Sequence, residues 1–466
     1  MQQWVQDELA TCDLGDARLD RRLGKLLDRL GSKPSLSIPA ACRGRAEMEA
    51  AYRFFDNPRV APAKILQPHR AATQVRMQGE PVVLIAQDTT EIDLTRRRER
   101  VGGPLDEGSR WGLFAHVQLA MTPDAVPLGV VACELWARDP AEAGTSQAAK
   151  RQRRKAKPIA AKESARWLEG YRNACAVAEA VPGARVVSLA DSESDIYECL
   201  AEPGAADWVV RSCQDRALVD GGFLREKLLA APPFGSWAVA VSRREKTTGG
   251  GRRREQPREA RETCVEARAA RVRLRPPSRP GGVKLPEVAV NAVLALEVQP
   301  PPGEEPIEWL LLTSLPVDTD ADVRRVIDHY RIRWGSEVFF RTLKSGCGIE
   351  QLQLETPERM MTCVTVYLVV AWRVLYLRMR GRMAPETPCD AVFDDAEWKS
   401  AHQFVQGAVA GATPTLGDMV KCVASLGGYL GRSRDGPPGP KTFWVGLQRV
   451  RDLAAGYELA TAAAKT

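Results

Sequence analysis

Three acidic residues stand where carboxylates can do chemistry. Asp88 and Asp191 each follow a short apolar run, Val82-Val-Leu-Ile-Ala86 and Arg185-Val-Val-Ser-Leu-Ala190. Glu337 lies in Tyr330-Arg-Ile-Arg-Trp-Gly-Ser-Glu-Val-Phe-Phe-Arg-Thr-Leu-Lys344, which reads Y-x2-R-x3-E-x6-K. At helical pitch this spacing puts Tyr330, Arg333, Glu337, Arg341 and Lys344 on one face. Carboxylates held close together repel, so gathering three of them implies a bound cation. Oxygen donors select a hard ion: Mg2+, with Mn2+ able to substitute. Two such ions about 4 Å apart can polarise a phosphodiester and activate a hydroxyl for in-line attack. The basic residues around Glu337 suit the neighbouring phosphates.

Each acid taken alone has an ordinary reading. An Asp after a strand also serves as a turn former or helix cap. A Glu in a charged helix is commonly solvated or paired one turn away. Glu91 and Asp93 compete with Asp88, and Glu193 and Asp195 compete with Asp191. The combination is more specific than any of its parts.

The elements that must position these acids follow from the hydrophobic pattern. Residues 1–78 read as short helices: in Arg18–Leu30, Leu19, Leu23, Leu26, Leu27 and Leu30 recur with helical period beside a basic stripe of Arg18, Arg22, Lys25 and Arg29. Gly31 and Pro34 are expected to stop that helix. From Val82 the pattern becomes strand-like, with a hairpin over Leu113–Met121 and Val126–Leu135, a helix over Ala160–Val181, and strands at Arg185–Ala190 and Trp208–Arg211. Residues of about 212–310 read mostly as strand, broken by Pro and Gly clusters. One long helix is expected over Asp320–Ser345 and another over Glu358–Arg380; near the end, Phe443, Leu447, Val450, Ala454 and Tyr457 follow a heptad-like spacing. That stripe is either a dimer seam or ordinary internal packing.

Strand, hairpin, helix, strand, helix, strand is the order of a mixed sheet with helices on its faces. The expected fold class is therefore α/β: a ribonuclease-H-like catalytic core with a β-rich insertion, flanked by helical N-terminal and C-terminal domains. The boundaries drawn are a helical DNA-binding domain over 1–78, a catalytic domain over 79–380 with its insertion at about 212–310, and a helical region over 381–466, which is a dimerisation region if its heptad-like stripe is a dimer seam.

Composition agrees. The 466 residues suffice for about three domains. An apolar fraction of 44 % supplies their cores, and the net charge of +7 favours anionic partners. Eleven cysteines without a C-x-x-C pair suit a reduced compartment, and four dispersed histidines argue against zinc. No apolar run approaches the roughly 20 residues that cross a bilayer. The expectation is a cytoplasmic, nucleoid-associated protein without a membrane partner.

Beyond the spacing, the chain resembles bacterial insertion-sequence transposases of the DDE type, in the cut-and-paste group marked by Y-x2-R-x3-E-x6-K. Tyr330, Arg333, Glu337 and Lys344 all match. So do Leu14-Gly-Asp-Ala-Arg18, Ala51-Tyr-Arg-Phe54 with Asn57-Pro58, Gln87-Asp-Thr-Thr90, Asp191-Ser-Glu-Ser-Asp-Ile196, Trp208-Val-Val-Arg211, Asn291-Ala-Val-Leu-Ala295 and Trp309-Leu-Leu-Leu-Thr-Ser314, in family order. The resemblance implies Asp88, Asp191 and Glu337 as the catalytic, metal-holding triad. It implies Tyr330, Arg333, Arg341, Lys344 and Arg211 at the DNA, with Trp309 stacking a flipped base; Trp334 could serve the same pocket. Arg341 stands where the group often has Lys. Arg252, Arg253 and Arg254, with Arg18, Arg22 and Lys25 of the N-terminal helices, are the further DNA contacts expected. The implied partners are double-stranded DNA, as terminal inverted repeats and target, and a second copy of the chain in a synaptic homodimer. The implied reaction is metal-dependent cleavage of the element ends, with a hairpin intermediate, followed by joining of the 3′ ends to target DNA. Two other readings use the same residues: a same-fold nuclease without strand transfer, and a non-catalytic DNA-binding relic or inhibitor.

Overall fold

The computed structural model describes residues 1–96, 100–106, 109–144, 157–241, 259–279, 283–408, 411–432 and 435–464. They form two compact units: residues 1–151 with 334–466, and residues 152–333. The boundary between Arg333 and Trp334 falls inside the Y-x2-R-x3-E-x6-K stretch.

The first unit opens with helices α1 (Gln3–Glu8), α2 (Ala17–Ser32), α3 (Ile38–Ala41), α4 (Arg45–Phe55) and α5 (Pro62–Met77). Helix α2 starts at Asp16, whose side chain accepts the Arg18 N–H, and buries Leu23, Leu26, Leu27 and Leu30. Gly31 does not stop it. The helix runs on to Ser32, and a Cβ at Gly31 would come within 2.7 Å of the Trp4 ring, so this glycine permits close packing. Next come β1 (Val82–Asp93), the two-residue β2 (Gly103–Pro104), β3 (Trp111–Met121) and β4 (Pro127–Trp136). Strand β3 pairs antiparallel with β1, β2 and β4. It is buried at every position, as a strand covered on both faces must be.

The second unit carries β5 (Arg185–Ala190), β6 (Asp207–Arg211), β7 (Pro233–Val241), β8 (Arg261–Leu274), β9 (Val288–Val298) and β10 (Glu308–Thr313). Their order is β5-β6-β10-β9-β8-β7, with β5 and β6 parallel and the other pairs antiparallel. The expected insertion thus extends the sheet outward from β10. Its helices are α6 (Ala165–Ala180), α7 (Tyr197–Ala201), α8 (Leu224–Ala230) and α9 (Asp320–Ile332). Helix α8 interrupts a stretch expected to be strand; it buries Leu224 and Leu228, one turn apart.

The long helix expected over Asp320–Ser345 is three elements. Helix α9 starts with a Thr319/Asp322 capping box and ends at Ile332. Arg333 and Trp334 keep right-handed dihedrals, but the ladder tightens to i→i−3 bonds, Arg333 N–H to Tyr330 O at 3.1 Å and Glu337 N–H to Trp334 O at 3.1 Å. Helix α10 (Gly335–Arg341) follows, then a π-helical turn over Thr342–Gly346. The physical reason is a change of core: Val323, Val326, Ile327 and Tyr330 are buried in the second unit, and Phe339, Phe340 and Leu343 in the first.

The first unit closes with α11 (Pro357–Met383), α12 (Asp395–Gln406), α13 (Leu416–Leu426) and α14 (Pro440–Ala463). Among the described residues α11 is long and apolar enough to cross a membrane by length and composition, but 83 % of its apolar window is buried inside the protein. It packs on α5 and β4, and its Trp372 indole donates to Pro127 O at 2.8 Å. Phe443, Leu447, Val450 and Ala454 of α14 are buried. The first three share a core with Met419 and Val423 of α13 and Trp398 of α12, so the heptad-like stripe is internal packing.

Candidate active site

Asp88 sits in the middle of β1, not at its end. Beyond it Thr89, Thr90 and Ile92 keep the alternation and pair with β3 down to Asp93 opposite Gly112, so the strand outlasts its apolar run. Asp88 is half-buried opposite Val117, and its Oδ1 accepts the Thr89 N–H at 2.8 Å. Glu337 lies in the first turn of α10, where the helix dipole favours an acid, and is also half-buried. Helix α10 packs on β1, so these two elements of one unit carry two of the three expected acids.

Asp191, in the second unit, directly follows β5 as expected. It is half-buried and caps a 3-10 turn over Ser192–Ser194 by accepting the Glu193 N–H at 2.8 Å.

Most of the competing acids are engaged elsewhere. Arg110 binds Glu91 at 2.7 Å and Asp106 at 3.2 Å and lies 3.9 Å from Asp93, whose N–H donates to Glu350 at 3.0 Å. Asp195 is buried, ion-paired with Arg216, and accepts from Ser212 Oγ at 2.8 Å and from the Cys213 N–H at 2.9 Å. It holds the chain after β6 in place. Glu193 is exposed.

The basic residues divide between the units. Lys344, half-buried in the π turn, has its ammonium pulled below the usual lysine range by burial, against the opposing pull of Glu350, Glu91 and Asp93. It therefore faces acids within its own unit. Arg341 and Trp334 are exposed. In the second unit Tyr330 is buried, with its ring edge-on to Trp309 at 6.1 Å between centroids and the Arg333 guanidinium 5.8 Å from its own centroid. Trp309 is half-buried on β10, and Arg211 on β6 stands opposite Leu311. Glu308, beside Trp309, is ion-paired with Arg225. The Arg225 hydrogen bond holds the Glu308 carboxyl below its ordinary range, with the Arg211 charge adding to the effect. Sequence reasoning missed Arg225, because it lies on α8; Leu224 and Leu228 at i, i+4 were the available signal.

On α2, Arg18 is exposed and paired with Asp16 at 2.9 Å, while Arg22 and Lys25 have no ion pair among the described residues. Arg29, the last member of that stripe, is held by Glu47 and Asp28. Arg252, Arg253 and Arg254 lie outside the described residues.

The donor chemistry of Asp88, Asp191 and Glu337 is all oxygen and fits a hard divalent cation. Among the described residues no three of His, Cys, Asp or Glu are already gathered closely enough to hold a metal ion.

Three family models match this chain. A transposase DNA-binding model covers residues 1–60, a transposase DDE-domain model covers residues 195–369, and a Tn5 transposase dimerisation-domain model covers residues 369–466. The DDE match includes Glu337 and begins after Asp88 and Asp191. Among solved structures, a piggyBac transposase synaptic complex with hairpin DNA aligns over 82 % of this chain and 72 % of its own, at 9 % identity and a TM-score of 0.36. That likeness is remote. The family rests on the three matches, which in this order along one polypeptide make it a member of the insertion-sequence DDE transposases.

Proposed function

We propose that this DNA transposase binds the terminal inverted repeats of its element, cuts both ends through a hairpin intermediate, and joins the freed 3′ ends to target DNA. The observation that carries the reading is the disposition of acids: Asp88 and Glu337 lie half-buried on packed elements of one unit, and Asp191 caps the end of β5. A divalent cation, Mg2+ by preference, held by Asp88, Asp191 and Glu337 would polarise the scissile phosphate and lower the pKa of an attacking hydroxyl. Arg333 and Arg341 bind phosphates beside the cut, with Lys344 reaching them once its acidic neighbours yield. Trp309, backed by Tyr330, offers an aromatic face to an extruded base. Arg18, Arg22 and Lys25 on α2 contact the element end, and residues 381–466 bring two subunits together. Such a protein acts on DNA in the cytoplasm.

The test is a donor plasmid carrying the paired ends, incubated with the protein and Mg2+. Excised and joined products should form, and Asp88→Ala, Asp191→Ala and Glu337→Ala should each abolish them while end binding persists. Wild-type activity in any of the three removes that acid from the site. Nicking without joining marks a nuclease, and binding without cleavage marks a relic.

A further inference from the structure

We infer that His116 is a positioning residue for Asp88, clamping the chain on both sides of that acid; this rests on the reading of Asp88 as a metal-holding carboxylate. Strand β3 is buried throughout, and His116 and Gln118 are its polar side chains. A polar group in such a strand is costly unless hydrogen-bonded, and an aliphatic residue would avoid that cost. The ladder sets Thr89 opposite His116 and Gln87 opposite Gln118, with Asp88 between them opposite Val117. Because side chains alternate along a strand, Gln87 and Thr89 leave β1 on one face and Asp88 on the other.

His116 Nδ1 lies 2.8 Å from Thr89 Oγ1, and its Nε2 lies 3.3 Å from Gln87 Oε1. One imidazole thus holds both sequence neighbours of Asp88. The Thr89 N–H, in turn, donates to Asp88 Oδ1 at 2.8 Å. Rotation of the peptide joining Asp88 to Thr89 would carry that donor away from the carboxylate, and the His116–Thr89 bond opposes the rotation. His116 and Gln87 are both nearly inaccessible, at 3 % and 2 % exposure, so the clamp acts from behind the sheet and touches no substrate. It resembles the outer hydrogen bonds that orient the ligands of metal sites.

The test compares His116→Leu, Thr89→Val and His116→Asn in the full-length protein. Two quantities are read: Mn2+ affinity on an uncleavable end duplex, from the free-ion paramagnetic resonance signal, and the single-turnover cleavage rate at saturating DNA. His116→Leu and Thr89→Val should each weaken Mn2+ binding and slow cleavage by roughly 10- to 100-fold, with DNA affinity unchanged. The double variant should be no worse than His116→Leu alone, since that change already removes the bond that Thr89→Val removes. His116→Asn should recover most of the loss, because its amide can meet the Thr89 hydroxyl. Thr89→Val is nearly isosteric and serves even if His116→Leu fails to fold. Wild-type Mn2+ affinity in Thr89→Val, or no recovery in His116→Asn, overturns the clamp. Asp88→Asn runs alongside: if it still cleaves, the reading of Asp88 falls; if it is dead while Thr89→Val is normal, only the clamp falls.

Discussion

His329 gives the second unit an acid-labile point. It lies on α9 with 6 % exposure, and its Nδ1 is buried without a hydrogen-bond partner among the described residues. Burial, with the Arg325 and Arg185 charges and against the pull of Asp328, lowers its imidazole to about 4. The unfolded chain protonates first, near 6.5, so between these values it binds more protons than the folded one. Stability is therefore full above about pH 6.5 and declines towards pH 4, by roughly 3 kcal/mol in all. His329→Phe should flatten that acid limb, seen as a smaller difference between the melting temperatures at pH 4.5 and pH 7.5. An undiminished difference would place the acid lability elsewhere. The same arithmetic of burial separates the acids. Spacing alone could not choose between Asp191 and Asp195, because both follow β5 within five residues. The buried Arg216 pair that distinguishes them joins residues 21 apart in sequence.

Among the elements, the close approach of α13 and α14 depends on missing side chains. A Cβ at Gly446 would collide with the backbone carbonyl of Val423, and one at Gly427 with that of Thr442. Gly446 lies inside α14, where alanine is favoured over glycine by about 1 kcal/mol on propensity alone. Gly446→Ala should instead lower the melting temperature, because a backbone atom cannot move aside as a side-chain tip can. A stabilised variant would show that the helices separate readily. What was legible here followed the apolar pattern. The strands other than β2 and the helices α2 and α11 were readable from their apolar residues, nearly continuous in β3, β5 and α11 and recurring at helical period in α2. Two features were not. The second half of β1 is polar in sequence and is held as strand by β3, a partner some 25 residues away in the chain. The interruption at Arg333–Trp334 leaves the helical spacing of charges intact, so no count of residues could reveal it; only the change of core does.

At the scale of the whole molecule, charge and composition indicated an anionic partner and large cores, and the three matched family regions lie in the order the sequence blocks implied. Neither composition nor motif foretold that residues 1–151 and 334–466 form one compact unit while residues 152–333 form another. Such a discontinuous unit is fixed by contacts between distant stretches, which a linear pattern does not encode. The boundary inside the Y-x2-R-x3-E-x6-K stretch has a thermodynamic consequence. A stretch whose spacing reads as one continuous helix face is divided between two bodies, and each can open with its own free energy. Tyr330, buried in one, and Phe339, buried in the other, are nine positions apart, yet damage to them should surface in different places. Tyr330→Ala should accelerate amide exchange within residues 152–333, and Phe339→Ala within β1, β3 and α11, each by removing an aromatic side chain worth about 3–5 kcal/mol when fully buried. If both variants loosened both regions alike, the protein would open as a single cooperative body. If not, the Y-x2-R-x3-E-x6-K stretch is also the seam along which the protein's folding energy is partitioned.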